Sequence, residues 1–109
     1  MSRTTVILLL TLSALLEAGG DALIRLGLRR TGFSAFALLG AGAVALFSYG
    51  YAVNSPPWEF GRLLGIYIAL FFLTAQLLSW LVFQQPPGPS MLVGGALVLS
   101  GGAVMAFWR

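Results

Sequence analysis

Hydropathy divides the chain into four long apolar stretches separated by three short polar breaks. The breaks fall at residues 29–32 (RRTG), 54–62 (NSPPWEFGR) and 84–89 (QQPPGP), and the last two hold all five prolines. Each stretch between them approaches the roughly 20 residues that a helix needs to cross a hydrocarbon core of about 30 Å. The pattern predicts helices over residues 4–28, 33–53, 63–83 and 90–108. Backbone polar groups in lipid must find partners within the segment, so stretches this long and this uniformly apolar favour helices over barrel strands. The expected fold class is all-α, a single four-helix transmembrane domain over residues 1–109.

Composition sharpens that reading. Of 109 residues, 59% are hydrophobic and 8% are charged, against roughly 25% charged in an ordinary soluble domain. Four crossings with short connections use the whole length. Six arginines stand against three acids, for a formal charge of +3. Without a basic run or an aromatic platform, this does not point to nucleic acid. With no cysteine and no histidine, disulfides, thiol or imidazole chemistry and the common zinc sets are excluded. No cofactor is implied, and an enzyme is not expected, because no nucleophile and base pair can be assembled.

Four crossings put both termini on one side of the membrane, with Arg3, Arg62 and Arg109, while Arg25, Arg29 and Arg30 fall on the other. Orientation follows an excess of Lys and Arg on the cytoplasmic side, and here the excess is close to nil. The count predicts insertion in both orientations.

The first stretch breaks the apolar pattern. Its uncharged part, residues 4–16, is too short to span alone, so a spanning helix must carry Glu17 and Asp21 with it. A cleaved leader is the alternative, with Arg3 as its basic start and residues 18–20 as a small-residue cleavage site; Glu17 within that region weighs against it. On a helix, Leu10, Ser13, Ala14, Glu17, Gly20, Asp21 and Ile24 share one face. At about 1.5 Å per residue, counted from Thr5, Glu17 lies roughly 18 Å deep, Asp21 roughly 24 Å and Arg25 roughly 30 Å, at the far boundary. Asp21 and Arg25, four residues apart, are spaced for an ion pair there.

Glu17 is different, since a charge at the centre of a bilayer costs about 2.5–3.5 kcal/mol on insertion scales. A carboxylate at that depth faces a cavity and holds a proton or a cation. Mutual exclusion between the two couples cation export to proton import. The bland alternative is that it stays protonated or pairs with the Ser13 hydroxyl one turn back.

In the fourth stretch Gly94 and Gly95 recur as Gly101 and Gly102, two turns on, a stripe suited to close helix packing in lipid. The second stretch carries Ala37, Ala41 and Ala45, and the third Gly61, Gly65 and Ala69. Trp58, Trp80 and Trp108 stand near predicted helix ends, where indoles anchor at the headgroup boundary. Tyr67, with Thr74 on roughly its face, is placed to line a cavity, and Gln76 and Ser79 need polar partners.

A lone glutamate midway along the first helix (LLEAGG), Arg25 eight positions later, the RR pair at Arg29 and Arg30, GR at Gly61 and Arg62, then Tyr67, TA at Thr74 and Ala75, Trp80 and a glycine-rich last helix resemble the small multidrug resistance superfamily. The likeness is nearest to its YnfA-like branch and runs from Glu17 to Trp108. It implies a proton-coupled exporter of small organic or toxic cations in the inner (plasma) membrane. It also implies an antiparallel homodimer, with both copies of Glu17 facing one cavity and the last helix holding the dimer together. Glu17, Tyr67, Ser13 and Asp21 are then the expected proton and substrate residues, and Gly94, Gly95, Gly101 and Gly102 the dimer contacts. Two departures stand out: Asp21 is not expected on that face, and Leu64, Tyr67 and Ala69 occupy the region where an exporter of bulky aromatic cations carries Tyr, Trp and Gly. Two other functions fit the same residues: a non-transporting scaffold or accessory subunit with Glu17 as intramembrane glue, and a lipid-carrier flippase subunit of related architecture.

Overall fold

A computed structural model of the chain describes residues 1–108. Arg109, counted above with the arginines of its side, lies outside them. Four helices account for nearly all of it: α1 (Arg3–Gly27), α2 (Gly32–Val53), α3 (Phe60–Leu81) and α4 (Pro89–Phe107). All four are long and apolar enough to cross a membrane.

The ends follow from local chemistry. Ser2 caps α1 by accepting from the Thr5 backbone N–H at 3.2 Å, and Arg25 sits in the last turn, where a cation suits the helix dipole. Gly32, with φ of +69°, makes the tight turn into α2 at no steric cost. Helix α3 begins at Phe60, three residues before the expected start, so Gly61 and Arg62 lie within its first turn. Pro56 and Pro57 end their block on the helix, and no residue after Glu59 opposes it. At its other end Gln84 turns into the left-handed region, φ 57°, ahead of Pro86 and Pro87, which stops α3 short of Phe83. Pro89 opens α4 at a position where its missing N–H costs nothing.

Serine and threonine hydroxyls well inside the spans are satisfied without leaving their own helix. Thr11, Ser48, Thr74 and Ser100 each donate to the carbonyl four residues back, at 2.6–2.9 Å. Ser79, at the end of α3, instead donates to the Gln85 carbonyl at 3.1 Å.

The helices lie side by side in the order α2, α1, α3, α4: α1 touches α2 and α3, and α3 touches α4. The result is a slab of 50 × 35 × 19 Å. Its small core lies where α1 meets α3 and the end of α2, around Val6, Leu10, Ala14, Val53, Leu63 and Tyr67. Trp58 packs against this core, so it is more than a boundary anchor, whereas Trp80 and Trp108 stand exposed. The outward faces carry large apolar side chains such as Phe36, Phe47, Leu73 and Leu97, the surface a lipid-facing slab requires.

The four glycines of α4 do not act together. Gly95 packs on the Phe72 ring and Gly102 on Ala69, both of the same chain's α3, while nothing lies within 4 Å of a side chain built at Gly94 or Gly101. Consecutive residues on a helix point about 100° apart, so each GG pair splits between an inner and an outer face. The expectation that all four meet a second copy is corrected for Gly95 and Gly102.

Candidate functional site

Helix α1 is the only helix with two neighbours along its length beside α3, and its acidic residues lie on the face it turns toward α3. A phenol buried in a membrane needs a partner for its hydroxyl, and Tyr67, 3% exposed, has one: its Oη donates to Oε1 of Glu17 at 2.9 Å. One bond gives the phenol of α3 its partner and engages one of the two carboxyl oxygens on α1. It is also of the charge-assisted kind, about twice as strong as a neutral hydrogen bond when the acceptor is ionised.

Aromatic rings enclose the pair. Tyr49 of α2 stacks on Tyr67 with centroids 5.7 Å apart and planes 27° from parallel. Phe71, one turn along α3, lies with its ring centroid 6.2 Å from that of Tyr67, tilted by 31°. The phenol that holds the carboxyl is thus part of a cluster of three aromatic rings, and aromatic rings attract cations. Glu17 itself is only half-buried, so the slab leaves a way to it.

One turn nearer the far boundary, Asp21 is exposed and lines a cavity of about 220 Å³ with Ala18, Arg25, Phe71, Ser79 and Phe83. Phe71 belongs to both places, so this cavity adjoins the Glu17 site and opens toward the boundary. Arg25 does not fold back on Asp21 as its spacing suggested; its guanidinium lies over the Phe83 ring, 5.5 Å from the centroid. A weakly hydrated guanidinium at a membrane boundary gains from an aromatic face, and that contact leaves Asp21 turned to the cavity.

Of the residues expected here, Glu17 and Tyr67 meet directly and Asp21 lies one turn away. Ser13 does not join them: it is completely buried, and its Oγ donates to the Leu9 carbonyl at 2.7 Å. A hydroxyl on a helix finds its own turn's carbonyl nearer than any acid on the next turn, so neither the ligand role nor the Ser13 pairing with Glu17 holds. Thr74 is likewise bonded to the Leu70 carbonyl, and Gln76 lines an apolar groove between α3 and α4. Tyr49 was missed by sequence reasoning. Its signal was there, a phenol inside a stretch of Ala, Leu, Val and Phe, but nothing in α2 said which way it pointed.

The family model described as "Uncharacterised BCR, YnfA/UPF0060 family" matches residues 3–109. A UPF0060 membrane protein of Herpetosiphon aurantiacus is 33% identical over 94% of this chain and 93% of its own. One of Mycolicibacterium vanbaalenii is 36% identical over 86% of each, and UPF0060 membrane protein YfjF of Bacillus subtilis is 32% identical over 93% of this chain and 92% of its own. No solved structure matches. Four spans, and relatives named membrane proteins that match over nearly their whole length, make this a multi-pass protein of the plasma membrane. The chain belongs to the YnfA/UPF0060 family, within the small multidrug resistance-like superfamily.

Proposed function

We propose that this protein exports small organic cations in exchange for protons, working as an antiparallel homodimer in which the two copies of Glu17 form the shared site. The observation that carries the reading is the Glu17 carboxyl held at mid-span by the Tyr67 hydroxyl at 2.9 Å, with Tyr49 and Phe71 beside it. A structural acid in lipid is best served by an arginine, whose charge neutralises it for good. A single phenol does not neutralise it, and leaves its second oxygen for a proton or a cation. A cation at Glu17 meets the ring faces as well as the carboxylate, and a proton arriving from the other side displaces it. The cavity at Asp21 supplies a hydrated approach from one boundary.

The slab supports the dimer. One chain covers the site from one side only, and the outer face of α4 presents Gly94 and Gly101 with open space before them, where a second helix can approach closely. The near-equal arginine counts of the two sides support opposite orientations of the copies. A C-terminal reporter active only in the cytoplasm and another active only outside test this; signal from just one removes the antiparallel arrangement.

The transport reading is tested in liposomes holding the pure protein under a pH gradient, by following proton flux on addition of a broad panel of organic cations. Wild type gives cation-dependent flux and Glu17→Gln gives none. Equal flux from both proteins removes Glu17 as the coupling site. No flux from wild type with any cation leaves the accessory-subunit reading in its place.

A further inference from the structure

A cavity of about 830 Å³ lies at the end of the slab away from Asp21 and plays no part in the exporter reading. The first turns of α1 and α3 and the last turn of α4 wall it, and Arg3, Trp58, Glu59, Arg62, Ala106 and Phe107 face it. Its volume falls within the roughly 300–1,000 Å³ of pockets that hold drug-sized molecules.

We infer that this cleft holds the headgroup of a membrane phospholipid, with Arg3 and Arg62 gripping the phosphodiester. Two guanidiniums from different helices share one cavity, and among the described residues no carboxylate oxygen lies within 4.0 Å of either. Arg62 is half-buried and gives one N–H to the Ala106 carbonyl at 3.4 Å. That contact offsets the negative end of α4 and leaves four of its five donors. Arg3 lies with its guanidinium carbon 5.6 Å from the centroid of the Phe107 ring, and stacking there leaves its N–H edge open. The charge around them favours an anion. The positive ends of α1 and α3 open on the same side, and the Glu59 side chain does not cap α3, so the first N–H groups of that helix add to the arginines. Among the described residues Glu59 is the one acid lining the cleft, against two arginines.

The surroundings make the anion a lipid's. The cleft lies at the membrane boundary, where phosphodiesters are the abundant anions, and Trp58 and Phe107 supply the aromatic contacts typical of headgroup depth. Basic pockets between spanning helices bind lipid headgroups through this combination. At the opposite boundary Arg29 and Arg30 stand exposed on the turn after α1 and serve as simple anchors, which makes them a control. The inference does not depend on what the protein transports.

Native mass spectrometry of the detergent-solubilised protein tests it, with titration of phosphatidylglycerol, of diacylglycerol, which lacks the phosphate, and of glycerol 3-phosphate, which lacks the chains. Wild type retains one phosphatidylglycerol per chain and neither of the others. Arg3→Gln weakens that binding roughly tenfold, as loss of a charge-assisted contact does, while Arg29→Gln with Arg30→Gln leaves it unchanged. Because Arg62 also holds the end of α4, Arg62→Gln is judged only if its helix content matches wild type; Arg3→Gln carries the test alone if it does not. Diacylglycerol retained as well as phosphatidylglycerol, or no weakening by Arg3→Gln, overturns the site. Glycerol 3-phosphate bound as tightly as the lipid makes it a soluble-anion site and overturns the lipid.

Discussion

The α1–α2 and α3–α4 seams are both built on glycine, but different groups meet across them. Between α1 and α2, a side chain at Gly42 would come within 2.6 Å of Ile24 Cγ1, 3.0 Å of the Gly20 carbonyl oxygen and 3.2 Å of the Ile24 nitrogen. Glycine there faces glycine, and backbone meets backbone. Between α3 and α4, a side chain at Gly65 would meet the end of Met105 and one at Gly95 the rim of the Phe72 ring. Thioethers and rings can turn aside; a helix backbone cannot. At Gly42 the first seam is therefore held by backbone, whereas the second is held tightly at Gly102 on the Ala69 Cβ and leaves side chains room to turn only around Gly65 and Gly95. Gly20 is less than a turn from Glu17, so the rigid seam also sets the height of the carboxyl against Tyr67.

Gly42→Leu strikes the rigid seam hardest. The new side chain meets the Ile24 side chain and, beside it, the α1 backbone, which cannot turn aside, and the penalty reaches or passes the upper end of the about 1–3 kcal/mol typical of overpacked cores. We expect a clear fall in the thermal midpoint of the detergent-solubilised protein followed by circular dichroism, together with loss of Glu17-dependent proton flux as α1 moves. A variant that melts with wild type would show that backbone contact does not set this seam.

Much of this was legible in the sequence, and the limits have one physical cause. Helix number and most helix ends follow from hydropathy, proline and capping, because lipid demands length and satisfied backbone. Glu17 was legible because a carboxyl that deep in an apolar stretch is not explained by anchoring at the boundary, and Tyr67 because, with Thr74 on roughly its face, it was placed to line a cavity. Rotation was not legible. In water a helix is apolar inside and polar outside, which gives its phase; in lipid both faces are apolar, so α2 and α4 carry almost no sign of which side turns inward. Tyr49 and the division of the α4 glycines were lost for that reason. Ser13 failed differently: its face was right, but its hydroxyl had a nearer acceptor.

Tyr67→Phe sharpens the comparison by leaving both seams intact. The ring keeps its place between Tyr49 and Phe71, and only the donor to Glu17 is removed. A hydrogen bond to a charged group contributes about 1.5–3 kcal/mol, so cation-dependent proton flux should fall roughly ten- to a hundredfold, between wild type and Glu17→Gln, with the thermal midpoint little changed. Flux equal to wild type would mean that the tyrosine fills space and does not tune the carboxyl.

The smallest effect is expected at Gly95. An alanine methyl there would lie 2.7 Å from the Phe72 ring, closer than atoms tolerate, so the ring must move. It has somewhere to go, because Phe72 and Gly95 border a groove of about 340 Å³ along Leu73, Gln76 and Leu99. Alanine also favours the helix over glycine by about 1 kcal/mol, which offsets the cost of turning the ring. Gly95→Ala should therefore melt within about 0.5 kcal/mol of wild type, inside the range of ordinary surface substitutions. Gly42→Ala, with the same helix gain, has Gly20 and Ile24 backbone in its way and should melt clearly lower. If the two alanines cost the same, the seams are equally rigid, and the height of Glu17 is set by its bond to Tyr67 and not by the glycines beneath it.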